Sequence, residues 1–375
     1  MWGLGKRIVG RPTSSWQLAR TFPKLAARAF SSTLSEKSHI VIALGGNALL
    51  KRGQEMTIDN QRENIRTGMA SLQNIINDHT VTIVHGNGPQ VGLLLLESAA
   101  YEKQTGLASS TLDVLDAETE GMIGYLIEQE LQSLVTNPDR GMATLLSQIV
   151  VDPHDPSLQH PTKFVGPVYT AAEAQALSVL VRADGAFFRR VVPSPRPVQL
   201  IPSQMQVVRQ LTATDSIVIC AGGGGIPVVA EQHPNGRTYY RGLEAVIDKD
   251  RSAAMLGQAL RAQGLLILTD VSAVATHFGT SRERWIRRAS PVALTALQEQ
   301  QHFPAGSMGP KIEAAVEFVQ HNAQAWAAIG SLQEADQILA GTAGTMIRHS
   351  SKGVDDFALE YYKHHHHHHH DHGVA

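Results

Sequence analysis

Short apolar, β-branched runs closed by glycine set the rhythm of this chain. Ile40-Val41-Ile42-Ala43-Leu44 ends in Gly45-Gly46, and Val81-Thr82-Ile83-Val84 ends in His85-Gly86-Asn87-Gly88-Pro89. Continuous apolar runs of this length, closed by turn residues, read as strands buried on both faces. Residues 60–76, 90–97 and 118–134 read as helices, the last with Gly121 and Gly124 on a close-packed face. Residues 144–151 return to strand. The second half restarts with a strand at 216–220 that runs into Gly222-Gly223-Gly224-Gly225. A mainly helical stretch at 245–262, a central strand at 265–271, a helix at 310–321 and late strands at 327–330 and 344–347 follow. Strand, glycine turn and helix in alternation predict an α/β fold with a mostly parallel sheet. In such sheets anions bind where strand ends meet helix starts.

Two Pro-rich stretches interrupt the rhythm, at 152–167 and 189–202, with scattered alanines between them. Residues 156–202 therefore read as an excursion from the sheet, a small protruding lid.

Composition narrows the function. The 375 residues carry a formal net charge of -2, which gives no bulk attraction to nucleic acid or membrane. Aromatics are only 5%, too few to suggest a base-stacking surface. No stretch reaches the roughly 18 apolar residues of a membrane span. The one cysteine, Cys220, lies in an apolar run, so it reads as a buried strand thiol and excludes an intramolecular disulfide. No cluster has metal-ligand spacing.

The ends differ from the middle. Residues 1–35 hold Lys6, Arg7, Arg11, Arg20, Lys24 and Arg28 and no acid, interspersed with hydroxyl and apolar residues. That is the composition of an organellar presequence, with a cleavage expected near Arg28-Ala29-Phe30-Ser31-Ser32. It implies a mitochondrial matrix or related organelle. His364–His370 form an unbroken run in a tail, 351–375, left outside the fold.

The candidate chemistry is phosphate chemistry. Gly45-Gly46-Asn47 lacks both the Gly-x-x-x-x-Gly-Lys nucleotide loop and the dinucleotide Gly-x-Gly-x-x-Gly spacing, and alone it reads equally as a tight turn. Gly86-Asn87 repeats its logic, and two such turns at adjacent strand ends would form facing anion nests. Gly222, Gly223, Gly224 and Gly225 cost roughly 1 kcal/mol each in a regular element, which a fold tolerates where backbone must come close to something. A phosphate-facing loop is the expectation, close backbone packing the alternative. Asp248 is placed to cap a helix whose first turn carries Lys249 and Asp250, and Gly309-Pro310 opens a helix carrying Lys311. A lysine at a helix start opposes the helix dipole, so an anionic ligand would explain it. His85 has no paired nucleophile and reads as a structural histidine.

With Pro161-Thr162-Lys163, Asp248-Lys249-Asp250 and Gly306-Ser307-Met308-Gly309-Pro310-Lys311 in place, the chain from Ile40 to Arg348 resembles the carbamate kinases of the amino acid kinase superfamily. The resemblance implies a three-layer αβα sandwich with a mainly parallel central sheet. It divides residues 39–350 into an acceptor half, about 39–215, and a nucleotide half, about 216–350. It implies reversible phosphoryl transfer between ATP and carbamate, with ATP formed from ADP and carbamoyl phosphate. Gly45, Gly46 and Asn47 match the turn that holds the transferring group, and Gly86 and Asn87 the turn on the carbamate side. Lys249 and Lys311 match the lysines that stabilise the phosphates, Asp250 the aspartate that orients them, and Lys163 a lysine on the protruding subdomain. Gly222–Gly225, Thr269 and Asp270 fall in the nucleotide half. The resemblance further implies magnesium carried by the nucleotide, no resident metal, and a homodimer formed through the acceptor half. One stretch departs from the family's Ser-Gln-Gly: here it is Thr119-Glu120-Gly121, which places a carboxyl on the acceptor side, where its charge would weaken phosphate binding. An acetylglutamate or other amino-acid kinase of the superfamily and a non-catalytic ligand-binding regulator are the alternatives. Assays of ATP consumption with different acceptors separate them.

Overall fold

The computed structural model describes residues 36–357 apart from 52, 89, 109, 178, 305, 306 and 352. The expected presequence and the histidine run lie outside the described residues.

A ten-stranded sheet forms the centre. Strand His39–Leu44 lies in its middle, parallel to Thr80–His85 on one side and to Gly264–Thr269 on the other. Register places Leu44 beside both His85 and Leu268, so three strands end at the same level. Ile217–Ile219 and Met142–Thr144 extend the sheet in parallel beyond Thr80–His85. Trp326–Ser331 continues it past Gly264–Thr269, and antiparallel pairings appear only towards that edge. Val354–Phe357 pairs with Arg284–Ala289, so pairing continues past residue 350, where the sequence reading ended the fold.

Alternation along the first strand divides the core. Ile40, Ile42 and Leu44 face one cluster with Ile65, Met69, Ile123 and Ile127, from helices Ile58–Ser71 and Leu112–Gln132. Val41 and Ala43 face the other with Ala253, Ile312 and Phe318, from helices Lys249–Ala259 and Met308–Gln320. Each such buried aliphatic side chain contributes about 1.5–3 kcal/mol relative to exposure. The result is helix layers on both faces of one sheet, as expected.

Three local expectations change. The helix read at 60–76 is two, Ile58–Ser71 and Gln73–Asp78, separated at Leu72. The strand read at 144–151 is also two. Met142–Thr144 stays in the central sheet, whereas Gln148–Val151 pairs with Ile226–Gln232 and Pro197–Leu200 in a separate four-stranded sheet. Between them Leu145 donates to Ile219 O and Ser147 to the Glu120 carboxyl, which turns the chain from one sheet to the other. The helix read at 245–262 begins only at Lys249, because Asp248 accepts hydrogen bonds from the Asp250 and Arg251 amides and caps it there.

The excursion contains a three-stranded antiparallel sheet, Lys163–Tyr169, Phe187–Val192 and Val181–Asp184. Val165 and Val192 pack with Leu95, Leu112 and Val246, seating this sheet on helix Gln90–Thr105. Pro197–Leu200, read as part of the excursion, belongs instead to the four-stranded sheet.

Candidate active site

The level strand ends create the site. Gly45 follows Leu44, Gly86 follows His85, and Thr269 closes its strand, so all three open onto one cleft of about 1020 Å³. Gly45, Gly46, Gly86, Asn87, Lys163, Gly223, Lys249, Asp250, Thr269 and Lys311 line it. Asn47 lies in the single 3₁₀ turn Gly46–Ala48 just behind. The fold therefore brings residues as far apart in the chain as 45 and 311 together in one place.

The glycines serve in different ways. The Gly45 amide donates to Leu268 O and the Gly86 amide to Leu44 O, both 3.0 Å, so these two amides continue the sheet. At the start of the 3₁₀ turn, the Gly46 and Asn47 amides have no acceptor within the turn, as at any helix start. Those are the groups suited to an anion.

The four-glycine run differs from the expectation of a phosphate-facing loop. All four glycines are buried, and of the four only Gly223 reaches the cleft. Added β-carbons would lie 2.3 Å from the His85 ring at Gly222, 2.1 Å from Ile247 O at Gly224 and 2.3 Å from Ile149 at Gly225. Gly223, Gly224 and Gly225 also hold positive φ. Close backbone packing is what these glycines supply. Asp270 is exposed beside the cleft, where its Oδ1 accepts from Thr269 Oγ1 at 3.1 Å.

Charge is concentrated around Asp250. Its Oδ1 accepts from Lys249 Nζ at 2.5 Å and its Oδ2 from Lys311 Nζ at 2.9 Å. Asp250 is buried, and the two lysine side chains are only 12% and 17% exposed. Burial by itself would raise the Asp250 carboxyl, but the two ammonium groups and their hydrogen bonds outweigh it and hold it below the usual carboxylate range. Burial, partly offset by Asp250 and reinforced by Lys311, draws Lys249 below its ordinary value. Both lysines sit in the first turns of their helices, facing the positive ends of two dipoles. One carboxylate stands between two lysines, so the group brings an excess of basic side chains to a glycine-walled cleft. A ligand with several anionic oxygens meets that demand.

Lys163, exposed on the three-stranded sheet, faces the cleft from the other side. Two arginines that sequence reasoning passed over also line it. Arg189 pairs with Asp184 at 3.3 Å and lies over the Phe164 ring at 5.7 Å. Arg251 reaches Glu313 at 2.5 Å. Arg251 directly follows Asp248-Lys249-Asp250 at the helix start, a signal available in the sequence, whereas nothing local marks Arg189.

Glu120 is not where the sequence reading put its charge. It is buried behind the cleft, outside the lining, with Oε2 accepting from the Ser147 amide at 2.7 Å. Burial, opposed by that bond and reinforced by Asp116, holds its carboxyl well above the usual range. His85 is structural as expected: burial lowers it to about 4, so its ring is neutral at pH 7, and Nδ1 contacts Gly86 O at 2.9 Å. Cys220 is buried and its thiol is pushed up by burial.

Comparison with known proteins bears on the same residues. The model of the amino acid kinase family matches residues 38–326. A carbamate kinase of Haemophilus influenzae is 46% identical over 323 residues, covering 85% of this chain and 99% of that protein. The chain belongs to the carbamate kinase family. A Rhizobium meliloti carbamate kinase is 44% identical over 83% of this chain and 93% of its own length. The solved structure of carbamate kinase from Giardia lamblia bound to AMP-PNP superposes with a TM-score of 0.77 at 35% identity, covering 84% of this chain and 99% of that one. The family therefore spans the whole αβα unit, both sides of the cleft included.

Proposed function

We propose that this protein transfers a phosphoryl group reversibly between ATP and carbamate, and that it works toward ATP from ADP and carbamoyl phosphate. The observation that carries the reading is the Lys249–Asp250–Lys311 group opposite the Gly45 and Gly86 turns. It is supported by the carbamate kinases to which the chain is similar.

In this reading the β-phosphate oxygen of ADP attacks phosphorus. The bond from phosphorus to the carbamate oxygen breaks, and carbamate leaves with that electron pair. Little proton chemistry is required; alignment and charge neutralisation do the work. Lys249 and Lys311 neutralise the transferring oxygens, and Asp250 keeps the two ammonium groups apart and aimed. The amides of Gly46 and Asn47 hold the phosphoryl group, Gly86 and Asn87 lie on the carbamate side, and Lys163 approaches from the lid. Thr269 and Asp270 fall on the nucleotide side.

Magnesium enters as part of the nucleotide substrate. Among the described residues no group of three or more His, Cys, Asp or Glu side chains is placed to hold a metal ion. Asp250 is engaged with two lysines. The residues present thus fit a cation carried by phosphate oxygens and water.

Tyr125, exposed on helix Leu112–Gln132, and Leu146, exposed and packed beside Gly121 of the same helix, support a homodimer through the acceptor half. The basic, acid-free composition of residues 1–35, which lie before the family match, supports the mitochondrial matrix or a related organelle. The deciding assay is coupled ATP formation from ADP, carbamoyl phosphate and magnesium. Folded protein that makes no ATP refutes the reading.

A further inference from the structure

Helix Leu112–Gln132 buries three polar side chains on one face, Asp116, Thr119 and Glu120. Their spacing, i, i+3 and i+4, stacks them together. Elsewhere the buried positions of this helix are mostly apolar, including Leu115, Ile123 and Ile127. Buried carboxyls are costly to a fold. Here the cost is compounded, since Asp116 Oδ2 and Glu120 Oε1 are buried without a hydrogen-bond partner. Neither residue lines the cleft. Something other than stability has to account for them.

What they reach is Asn87. Its Nδ2 donates to Asp116 Oδ1 at 3.4 Å, and its Oδ1 is 3.2 Å from Thr119 Oγ1. The same hydroxyl lies 2.9 Å from Asp116 O, so its single hydrogen is shared between that carbonyl and Asn87 Oδ1. Gly223 closes a third side, because a β-carbon there would fall 1.6 Å from Asn87 Oδ1. Glu120 supports that wall. It accepts from the Ser147 amide, Ser147 Oγ accepts from Ala221 N and Ser147 O from Ile226 N, each bond 2.7 Å. Ala221 and Ile226 flank the glycine run. The side left open is the cleft, which Asn87 lines.

We propose that Asp116 and Thr119 are positioning residues that clamp the Asn87 carboxamide so that its second Nδ2 hydrogen is offered to an anionic oxygen of the acceptor. The proposal rests on the phosphotransfer reading for the identity of that oxygen. A carboxamide presents a donor at one end and an acceptor at the other. A hydroxyl at Oδ1 and a carboxyl oxygen at Nδ2 agree on one orientation. Without them the amide can turn over and present its oxygen to the anion, replacing attraction with repulsion. Misplacement of this order costs up to about 100-fold in rate.

The test is a mutant cycle. Asp116→Leu removes the acceptor at similar volume, Thr119→Val removes the donor at the same shape, and Asp116→Asn retains an acceptor oxygen. Each is combined with Asn87→Ala. The expected result is a fall of about 10- to 100-fold in kcat/KM for carbamoyl phosphate with Asp116→Leu and Thr119→Val. KM for ADP is held, the thermal midpoint does not fall, and Asp116→Asn recovers most of the loss. In the Asn87→Ala background neither change costs anything further, because residues acting through one group are not additive. Equal losses with and without Asn87 would overturn the clamp. Should the wild type make no ATP, the functional reading fails by itself, and a crystal structure of Asp116→Leu then decides the clamp. An Asn87 carboxamide that has turned or moved supports it, and one that keeps its place refutes it.

Discussion

Lys311 Nζ and Asp250 Oδ2 stand 2.9 Å apart, joining the first turns of two helices that begin far apart in the chain. The bond makes Asp250 the hinge of the charged group, since its other oxygen already holds Lys249. Asp250→Asn leaves two poorly solvated ammonium groups side by side. Breaking a buried pair in this way destabilises by about 3–5 kcal/mol. The folded pKa of Asp250 lies below its unfolded value, so its stabilisation is complete above about pH 4 and disappears as pH falls through the folded value. Urea unfolding of wild type and Asp250→Asn from pH 7 down to pH 3 should show a gap that narrows only below about pH 4. A gap of constant size would mean that the carboxylate charge is not what stabilises the group.

Lys249→Ala and Lys311→Ala should separate rate from stability. Two ammonium groups share one carboxylate here, so either lysine can be removed with Asp250 still paired to the other. Losing one oriented donor lowers kcat by about 10²–10³-fold, while the thermal midpoint changes little or rises. Steady-state ATP formation with scanning calorimetry on the same samples checks both halves. Near-normal turnover in Lys249→Ala would remove it from the mechanism.

The glycine turns and lysines were legible because each is a local signal. A β-branched run that stops at glycine marks a strand end, and a lysine in the first turn of a helix is anomalous against the dipole. The polar face of Asp116, Thr119 and Glu120 was not legible, because i, i+3, i+4 polar positions on a helix usually mark its solvated side. What covers them, the Ser147 corner and the glycine run, comes from tertiary packing. That corner was itself hidden: residues 144–151 are strand-like throughout, and nothing in their propensity says that the chain changes sheets at Ser147. The run Gly222–Gly225 was noticed but assigned to ligand approach, since sequence cannot distinguish a ligand from the His85 ring or Ile247 carbonyl as the close neighbour.

The three-stranded sheet that carries Lys163 rests through Val165 and Val192 on a small apolar cluster with Leu95, Leu112 and Val246, separate from the two main cores. With ADP and carbamoyl phosphate both bound, Lys163 gains an anionic partner and the sheet should close over the cleft, excluding water. Limited proteolysis within residues 163–192 should slow when both ligands are present and change little with either alone. Identical cleavage under all conditions would show that the sheet is a fixed wall.

Residues 1–35 precede strand His39–Leu44 and lie before the family match, which begins at residue 38. Their removal should leave ATP formation unchanged and abolish import into the organelle. Fluorescence microscopy of full-length and truncated fusions, with mass spectrometry of the mature N-terminus, measures both effects. A full-length chain that stays cytosolic with an intact N-terminus refutes the address and leaves the kinase reading untouched.

Glu120 offers the sharpest contrast between sequence and structure. Read as a charge on the acceptor side, its replacement by glutamine should tighten carbamoyl phosphate. Seen in place, it is a buried carboxyl that accepts one amide hydrogen from Ser147, and burial favours its neutral form. A glutamine oxygen accepts the same hydrogen with nearly the same shape. Glu120→Gln should therefore leave KM for carbamoyl phosphate and for ADP where they are. Glu120→Leu, which removes the acceptor, leaves the Ser147 amide buried and unpaired at a cost of about 1–3 kcal/mol. It should also loosen the wall beneath Asn87 and raise KM for carbamoyl phosphate more than KM for ADP. Kinetics and thermal melts of the two variants side by side decide the matter. A tighter KM for carbamoyl phosphate in Glu120→Gln would restore the electrostatic reading and count against the buried, neutral carboxyl.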